Sequence, residues 1–332
     1  MFLLYAARYD IIIVKEKKGG EILTSKAFLT VDSGGSKTCL ALYTEEGVLV
    51  EKGNARGFGL TEDSVSVLEE ARQILSDFCT GYEITHAVCN LGGKNKEQMD
   101  VTLKAAFPGA RTKVFRESEG TVGLELCKMY SAEVTLMAGT GAIAIARAGD
   151  RAVISGGWGA NISDGGSGYQ LGLDAVRLAL RELDGTGELS LLTKTLTGID
   201  EPPKPMDAAD FCAFRDRVRQ SLAPFDRAHI ASFARKVCDC ARLGDAQALE
   251  LYKKVGLDLA DLLLAAAKKA GGVLKGAVIN GGMVNGKEFW AESFEERLRR
   301  EYPAVTLHYI TDGIDEATRN MAKTMINKDK GE

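Results

Sequence analysis

From Ala27 onward, short apolar runs rich in Val, Leu, Ile and Thr alternate with glycine-bearing turns. AFLTVDSGGSKTCLALYTEEGVLVEKG reads as a strand, a glycine loop, a second strand, a turn at Glu45-Glu46-Gly47 and a third strand. β-Branched residues on half-buried strands produce this texture. Roughly 105 residues later, VTLMAGTGAIAIARAGDRAVISGG repeats the order, with its own turn at Ala148-Gly149-Asp150. A pattern that returns at domain scale predicts two similar lobes.

Helical spacing fills the gaps. Leu68, Ala71, Leu75 and Phe78 share one face, with Thr61 as a candidate N-cap. HAVCNLGG reads as a strand ending in a glycine turn, and Gly166 to Leu183 as a helix. Ile230, Phe233, Ala234, Val237, Cys238 and Ala241 form an amphipathic stripe. A helix from about Ala246 to Ala270 stops at Gly271-Gly272. GAVINGGM is a buried strand, followed by a helix through Phe289 and Phe294, the strand VTLHYI and a last helix from near Asp312. Alternating strands and helices predict an α/β fold. GIDEPPKPMD, with three prolines, reads as a surface loop. Arg8, Asp10 and Lys15 interrupt the apolar patches of residues 1–26. That stretch is too short and too charged to span a membrane and has no small-residue cleavage site. It reads as an N-terminal extension without chemistry, pairing as a hairpin through IIIVKEKKGGEIL, or as the product of an upstream start.

Composition narrows the function. The 332 residues include 42 Lys plus Arg and 46 Asp plus Glu, a formal net charge of −4. No basic excess is available for nucleic acid or an anionic membrane. The seven cysteines are scattered and no secretory signal precedes them, which predicts reduced thiols in a cytoplasmic protein. Three histidines and no Cys-x-x-Cys spacing argue against a zinc site or a Ser–His–Asp triad. Glycine is abundant, at 37 residues against 6 prolines.

Four glycine-rich turns each end a predicted strand. They are Asp32-Ser33-Gly34-Gly35-Ser36-Lys37-Thr38, Ala138-Gly139-Thr140-Gly141, Gly156 through Ser167, and Asn280-Gly281-Gly282. Such turns expose backbone N–H groups that hold phosphate oxygens without side-chain charge. That suits an acidic protein that binds a nucleotide. GxxxxGK[ST] is absent, so the chain is no P-loop protein. After Gly139-Thr140-Gly141 the chain continues as a strand, which excludes a Rossmann dinucleotide site.

VDSGGSKT, AGTGAIA, GGWGANISDGGSGYQLG and INGGM, in this order and spacing, resemble the actin-like ATPase and sugar-kinase superfamily. Within it the chain is similar to the N-acetylglucosamine kinase and BadF/BadG/BcrA/BcrD ATPase group, over roughly residues 27 to 325. The resemblance implies two ribonuclease H-like lobes with a cleft between them. The lobes would span 27–121, joined by the last helix 312–330, and 122–311. ATP and Mg²⁺ would be the cofactors. Asp32 would orient hydrated Mg²⁺, and the N–H groups of Gly34, Gly35 and Ser36 would cradle phosphates beside Lys37, with Thr38 supporting the loop. Gly139, Thr140 and Gly141 would form a second phosphate loop, and Gly281 and Gly282 would lie against the adenosine. Gly157, Trp158 and Asp164 would face the sugar.

The family's catalytic aspartate, in a pattern like Asp-Ala-Ala-Gly, is matched here by Glu117-Ser118-Glu119-Gly120. Glu117 is therefore the candidate base, with Glu119 as fallback. A glutamate carboxylate reaches about one methylene further. The family's GDEGS is Ser163-Asp164-Gly165-Gly166-Ser167, so its Glu is missing, and Asn54 lies a few positions before the family's sugar-binding Asn. Each residue also has a plainer role: a turn cap for Asp32, a surface lysine for Lys37, core packing for Trp158, a helix N-cap for Asp164. The expected activity is ATP-dependent phosphorylation of a small carbohydrate, an amino sugar such as N-acetylglucosamine. The alternatives are a BadF-type ATPase driving a partner protein and a catalytically weakened nucleotide sensor. Homodimers are common in the resembling family, and no residue here fixes that state.

Overall fold

The computed structural model describes residues 2–5, 12–15, 25–34, 37–58, 65–92, 96–149, 151–160, 162–201, 204 and 206–331. In chain order the elements are β1 (Phe2–Tyr5), β2 (Ile12–Lys15), β3 (Ser25–Ser33), β4 (Lys37–Thr44), β5 (Leu49–Arg56), α1 (Val65–Phe78), β6 (Tyr82–Leu91), α2 (Lys96–Ala106), β7 (Arg111–Arg116) and α3 (Thr121–Met129). There follow β8 (Val134–Ala138), β9 (Ala142–Ala148), β10 (Arg151–Gly156), α4 (Gly168–Leu183), α5 (Leu191–Thr197), α6 (Ala208–Leu222), α7 (Arg227–Arg242) and α8 (Ala246–Lys269). The chain closes with β11 (Gly276–Asn280), α9 (Lys287–Arg299), β12 (Thr306–Ile310) and α10 (Gly313–Lys330). Two compact units result: Met1–Met129 with Asp312–Glu332, and Tyr130–Thr311.

The first unit holds a five-stranded sheet in the order β5-β4-β3-β6-β7. β3, β4 and β5 form an antiparallel meander, while β6 and β7 run parallel to β3. The central strands are apolar on both faces because helices cover both. Ala71, Ile74, Leu75 and Phe78 of α1 and Met99 and Leu103 of α2 pack on one face. Ala322 and Ile326 of α10 pack with Phe28, Tyr43 and Val88 on the other. Asp315 fixes the start of α10, accepting hydrogen bonds from Thr30 Oγ1 at 3.0 Å and Tyr43 OH at 2.6 Å. α3 packs against α10 and β7, and the unit includes it through Met129.

β1 pairs antiparallel with β2, from Phe2↔Lys15 to Tyr5↔Ile12. Of the hairpin expected through residues 11–23, only 12–15 lie within the described residues. Thr61 lies outside the described residues.

The second unit repeats the plan. Its sheet runs β10-β9-β8-β11-β12, with β8, β9 and β10 antiparallel and β11 and β12 parallel to β8. α4, α7 and α8 build one core against β8 and β9 through residues such as Leu171, Phe233, Leu259 and Leu263. Ser167, Asp226 and Asp245 cap α4, α7 and α8 with side-chain oxygens. The proline-bearing segment falls between α5 and α6, and Pro202, Pro203 and Pro205 lie outside the described residues. β3 corresponds to β8 and β6 to β11, and both parallel neighbours carry an asparagine at their C-terminal end, Asn90 next to last in β6 and Asn280 last in β11.

Candidate functional site

In the first unit the chemistry gathers at the C-terminal edge of the parallel strands. Asp32 is the penultimate residue of β3 and lies across from Asn90 of β6. Asn90 Nδ2 donates to Asp32 Oδ1 at 3.0 Å. Burial pushes the Asp32 carboxyl above its usual range and the Asp315 charge adds to that, while the Asn90 hydrogen bond and Lys37 oppose them. Asn90 Oδ1 is buried without a hydrogen-bond partner among the described residues. A carboxylate beside an amide oxygen offers the hard, oxygen-only ligands that suit Mg²⁺, which uses one or two carboxylates and keeps its waters. Among the described residues no group of three His, Cys, Asp or Glu side chains could hold a metal ion.

The turn after Asp32 is locked from beneath. Ser33 Oγ and Thr38 Oγ1 are 2.9 Å apart, and both accept from Phe58 N, at 3.1 and 3.2 Å. Thr38 is fully buried, so its hydroxyl supports the loop. The Gly34 N–H, expected to cradle phosphate, donates to Lys37 O at 2.9 Å and closes the turn. Gly35 and Ser36 lie outside the described residues. Lys37 is exposed at the start of β4. Asn54 sits inside β5 opposite Cys39, not in the loop that follows.

β7 is the next strand beyond β6, with Phe115 opposite Asn90. The backbone of Glu117 therefore emerges at the same edge as Asp32, two strand spacings away, roughly 10 Å. Glu119 is a different case. Both its oxygens accept from Lys96 Nζ, at 2.8 and 3.0 Å, and Oε2 also accepts from Arg116 N at 3.4 Å. Partial burial raises its pKa, but Lys96 and Arg116 outweigh it and hold the carboxyl below the glutamate range. A carboxylate held ionised by a cation is a poor proton acceptor.

In the second unit the equivalent turn, Gly139 to Gly141, sits on the start of α4. Gly168 N donates to Gly139 O at 2.8 Å and Tyr169 N to Thr140 O at 3.2 Å. The Gly139 N–H closes the turn onto Gly141 O at 2.9 Å and so is not free for phosphate either. The N–H groups of Thr140 and Gly141 make no hydrogen bond among the described residues. Asp164 is buried, and Ser167, not Asp164, caps α4. Asp164 Oδ1 accepts from Ala142 N at 2.9 Å and Oδ2 from Arg227 Nη2 at 3.1 Å. Direct contact of Asp164 with a sugar hydroxyl therefore requires Arg227 to move aside.

Gly281 has φ +118°, and a Cβ there would lie 2.5 Å from Ala138 O, so β8 alone demands glycine at this position. Its N–H donates to Ile310 O at 3.2 Å, while the Cα of Gly282 faces open space. Gly157 N donates to Ala142 O at 3.1 Å, extending the β9–β10 pairing. Trp158, next to it, is 70% exposed and is no part of the core. Asn90, Lys96 and Arg227 escape sequence reasoning. Asn90 carries a signal, since Asn-Leu-Gly-Gly echoes the Asn280-Gly281-Gly282 turn. Lys96 and Arg227 meet their partners only through tertiary packing.

Comparison with known proteins places this arrangement. An N-acetylmuramic acid/N-acetylglucosamine kinase of Clostridium acetobutylicum is 26% identical over 299 residues, covering 85% of this chain and 93% of that protein. An N-acetyl-D-glucosamine kinase of Dictyostelium discoideum is 24% identical over 274 residues, 75% of this chain and 82% of that one. A Chromobacterium violaceum structure, provisionally assigned as an N-acetylglucosamine kinase, superposes with a TM-score of 0.61 at 21% identity, over 89% of this chain and 98% of that one. It shares the two-lobed actin-like ATPase and sugar-kinase fold. The family model for BadF/BadG/BcrA/BcrD ATPases matches residues 29–315, and this chain belongs to that family.

Proposed function

We propose that this protein is an ATP-dependent kinase that phosphorylates an amino sugar of the N-acetylglucosamine class. The observation that carries the reading is the strand edge of the first unit. There a half-buried Asp32 on β3, held by Asn90 of the adjoining β6, and the backbone of Glu117, just past β7 on the far side of β6, share one strand edge. The names of the two curated relatives give the acceptor class.

Phosphoryl transfer asks mainly for positioning and charge neutralisation. Asp32 would hold the Mg²⁺ of MgATP, with Asn90 fixing the carboxylate. Bound there, the ion neutralises charge on the phosphate oxygens. The N–H groups of Thr140 and Gly141 would donate to phosphate oxygens, as neutral donors that leave the protein acidic overall. Gly282, with open space over its Cα, would lie against the adenosine. Glu117 would take the proton from the attacking hydroxyl, a role Glu119 is barred from by its ion pair with Lys96. Trp158, exposed beside Gly157, offers an apolar wall for the sugar ring. A kinase that draws on MgATP would work in the cytoplasm.

The test is ADP release from MgATP with a panel of amino sugars. Turnover that requires N-acetylglucosamine or N-acetylmuramic acid supports the kinase. Turnover indifferent to every sugar would instead identify an ATPase that serves a partner. ADP binding without any turnover would identify a nucleotide sensor.

A further inference from the structure

Arg227 is the one residue at the Gly139–Gly141 turn that no motif announces. It opens α7, directly after the cap Asp226. Its Nη2 lies where a side chain of Gly141 would begin: a Cβ there would be 2.6 Å away. The guanidinium thus rests on the bare backbone of the turn. Asp164 holds it there at 3.1 Å, and the other oxygen of the same carboxylate holds Ala142 N at 2.9 Å. One buried carboxylate therefore fixes both the turn and the cation against each other. The two ends differ in exposure: the Asp164 side chain is 2% exposed and that of Arg227 is 49%. A ligand arriving at this turn meets the guanidinium and not the carboxylate. Asp164 is the only side chain that pairs with Arg227 among the described residues. A guanidinium carries five N–H donors in a fixed fork that matches phosphate oxygens.

We propose that Arg227 is a phosphate-contacting residue, which with the unpartnered N–H groups of Thr140 and Gly141 forms a built oxyanion site for the transferring phosphoryl group of ATP. The inference rests on the kinase reading and adds a cation to a turn otherwise made of backbone donors. Three independent features converge on it. Among the described residues the turn has N–H groups without partners, the guanidinium occupies the space beside its bare glycine, and a buried carboxylate pre-sets the cation at no cost in net charge. A lysine would keep the charge but lose the fork, because it acts as a point charge.

The experiment compares wild type, Arg227→Lys, Arg227→Gln and the double variant Arg227→Gln/Asp164→Asn, which leaves no unpaired buried charge. Each is checked for folding by thermal melting. Binding of MgADP and of MgADP with aluminium fluoride, a mimic of the transferring phosphoryl group, is then titrated. Sugar-dependent kcat and KM are measured with N-acetylglucosamine and with N-acetylmuramic acid. Loss of one preorganised donor to a developing charge costs about 10²–10³ in rate. Arg227→Gln and the folded double variant are therefore expected to lose roughly 100-fold or more in kcat and in affinity for the aluminium fluoride complex. MgADP affinity should change by less than about twofold, and Arg227→Lys should fall between. A parallel loss of MgADP affinity would make Arg227 a staple for the turn and overturn the proposal. So would an effect confined to the acidic acceptor, which would assign the cation to the sugar. A wild type that binds no adenine nucleotide sinks the kinase reading and this inference with it. A wild type that turns over, alongside unimpaired Arg227 variants, sinks this inference alone.

Discussion

Asn90 faces Asp32 across two parallel strands and donates to its Oδ1 at 3.0 Å, while its own Oδ1 stays buried and, among the described residues, unpartnered. The asparagine thus spends one half of its amide on the carboxylate and leaves the other half unused. Burial and Asp315 already disfavour the charged form of Asp32. Asn90→Ala removes a counterweight, so binding of Mg²⁺ at that carboxylate should weaken. The expected outcome is a rise of roughly tenfold in the Mg²⁺ needed for half-maximal ADP release, about the worth of one hydrogen bond to a charged group. Magnesium titration of turnover reads this directly. Asp32→Asn should leave a folded protein with no measurable turnover, and EDTA should reproduce that loss reversibly in wild type.

The two glutamates after β7 separate by partner. Glu119 is bonded to Lys96 and to the Arg116 backbone, and these hold its pKa below the ordinary value of 4.5. A carboxyl with a depressed folded pKa stabilises the native state at pH above its unfolded value and loses that contribution as pH falls through its folded value. Glu119→Gln should therefore lower the melting temperature at neutral pH and flatten its acid decline below about pH 4.5. Sugar-dependent turnover should survive within a few-fold. Glu117→Gln should do the reverse: melting unchanged, nucleotide binding retained, and kcat down by about 10²–10⁴, the worth of a general base. Equal loss in both variants would place the base elsewhere.

The architecture was legible wherever hydrophobic period and glycine spacing speak together. β3 to β5 and β8 to β10 follow from apolar runs bounded by turns, and α7 and α8 from helical stripes. The site was legible only in part, because a motif names positions and not the partners of their atoms. Asp32 ends β3 as its motif implied, yet the Gly34 and Gly139 N–H groups close their own turns. No periodicity reveals that. Asp164 showed as a polar residue among glycines, but its partner Arg227 is 63 residues away in sequence and packs beside it only because α7 lies along α4. α6 was invisible for another reason: only Val218 and Leu222 are buried, so it has almost no apolar face to read.

Gly281 and Gly141 look alike in sequence and should respond differently to alanine. A Cβ on Gly281 meets the backbone oxygen of Ala138 at 2.5 Å, and its φ of +118° strains any L-residue. A strand carbonyl cannot step aside, so Gly281→Ala should destabilise by roughly 2–5 kcal/mol. A Cβ on Gly141 meets the mobile end of Arg227 at 2.6 Å, without a positive φ. The guanidinium can swing away, so Gly141→Ala should melt within a few degrees of wild type. Its cost should fall on turnover instead, because Arg227 is displaced from the turn. Thermal melts and kcat measured on the same two variants check both halves of this contrast.

Trp158 gives an optical readout of acceptor binding. The chain has two tryptophans, Trp290 fully buried with its Nε1 bonded to Met283 O at 2.9 Å, and Trp158 70% exposed. Emission should therefore contain one component quenched by acrylamide and one that is not. A sugar ring against Trp158 removes water from the indole face, since sugar sites commonly use an apolar wall with few polar groups. Saturating N-acetylglucosamine should shift the emission to the blue and protect the accessible component from acrylamide. Trp158→Phe should abolish the response and raise KM for the sugar, leaving KM for ATP within about twofold, because uniform binding contributions appear in KM. An unchanged sugar KM in Trp158→Phe would remove Trp158 from the acceptor site and leave its exposure unexplained by sugar binding.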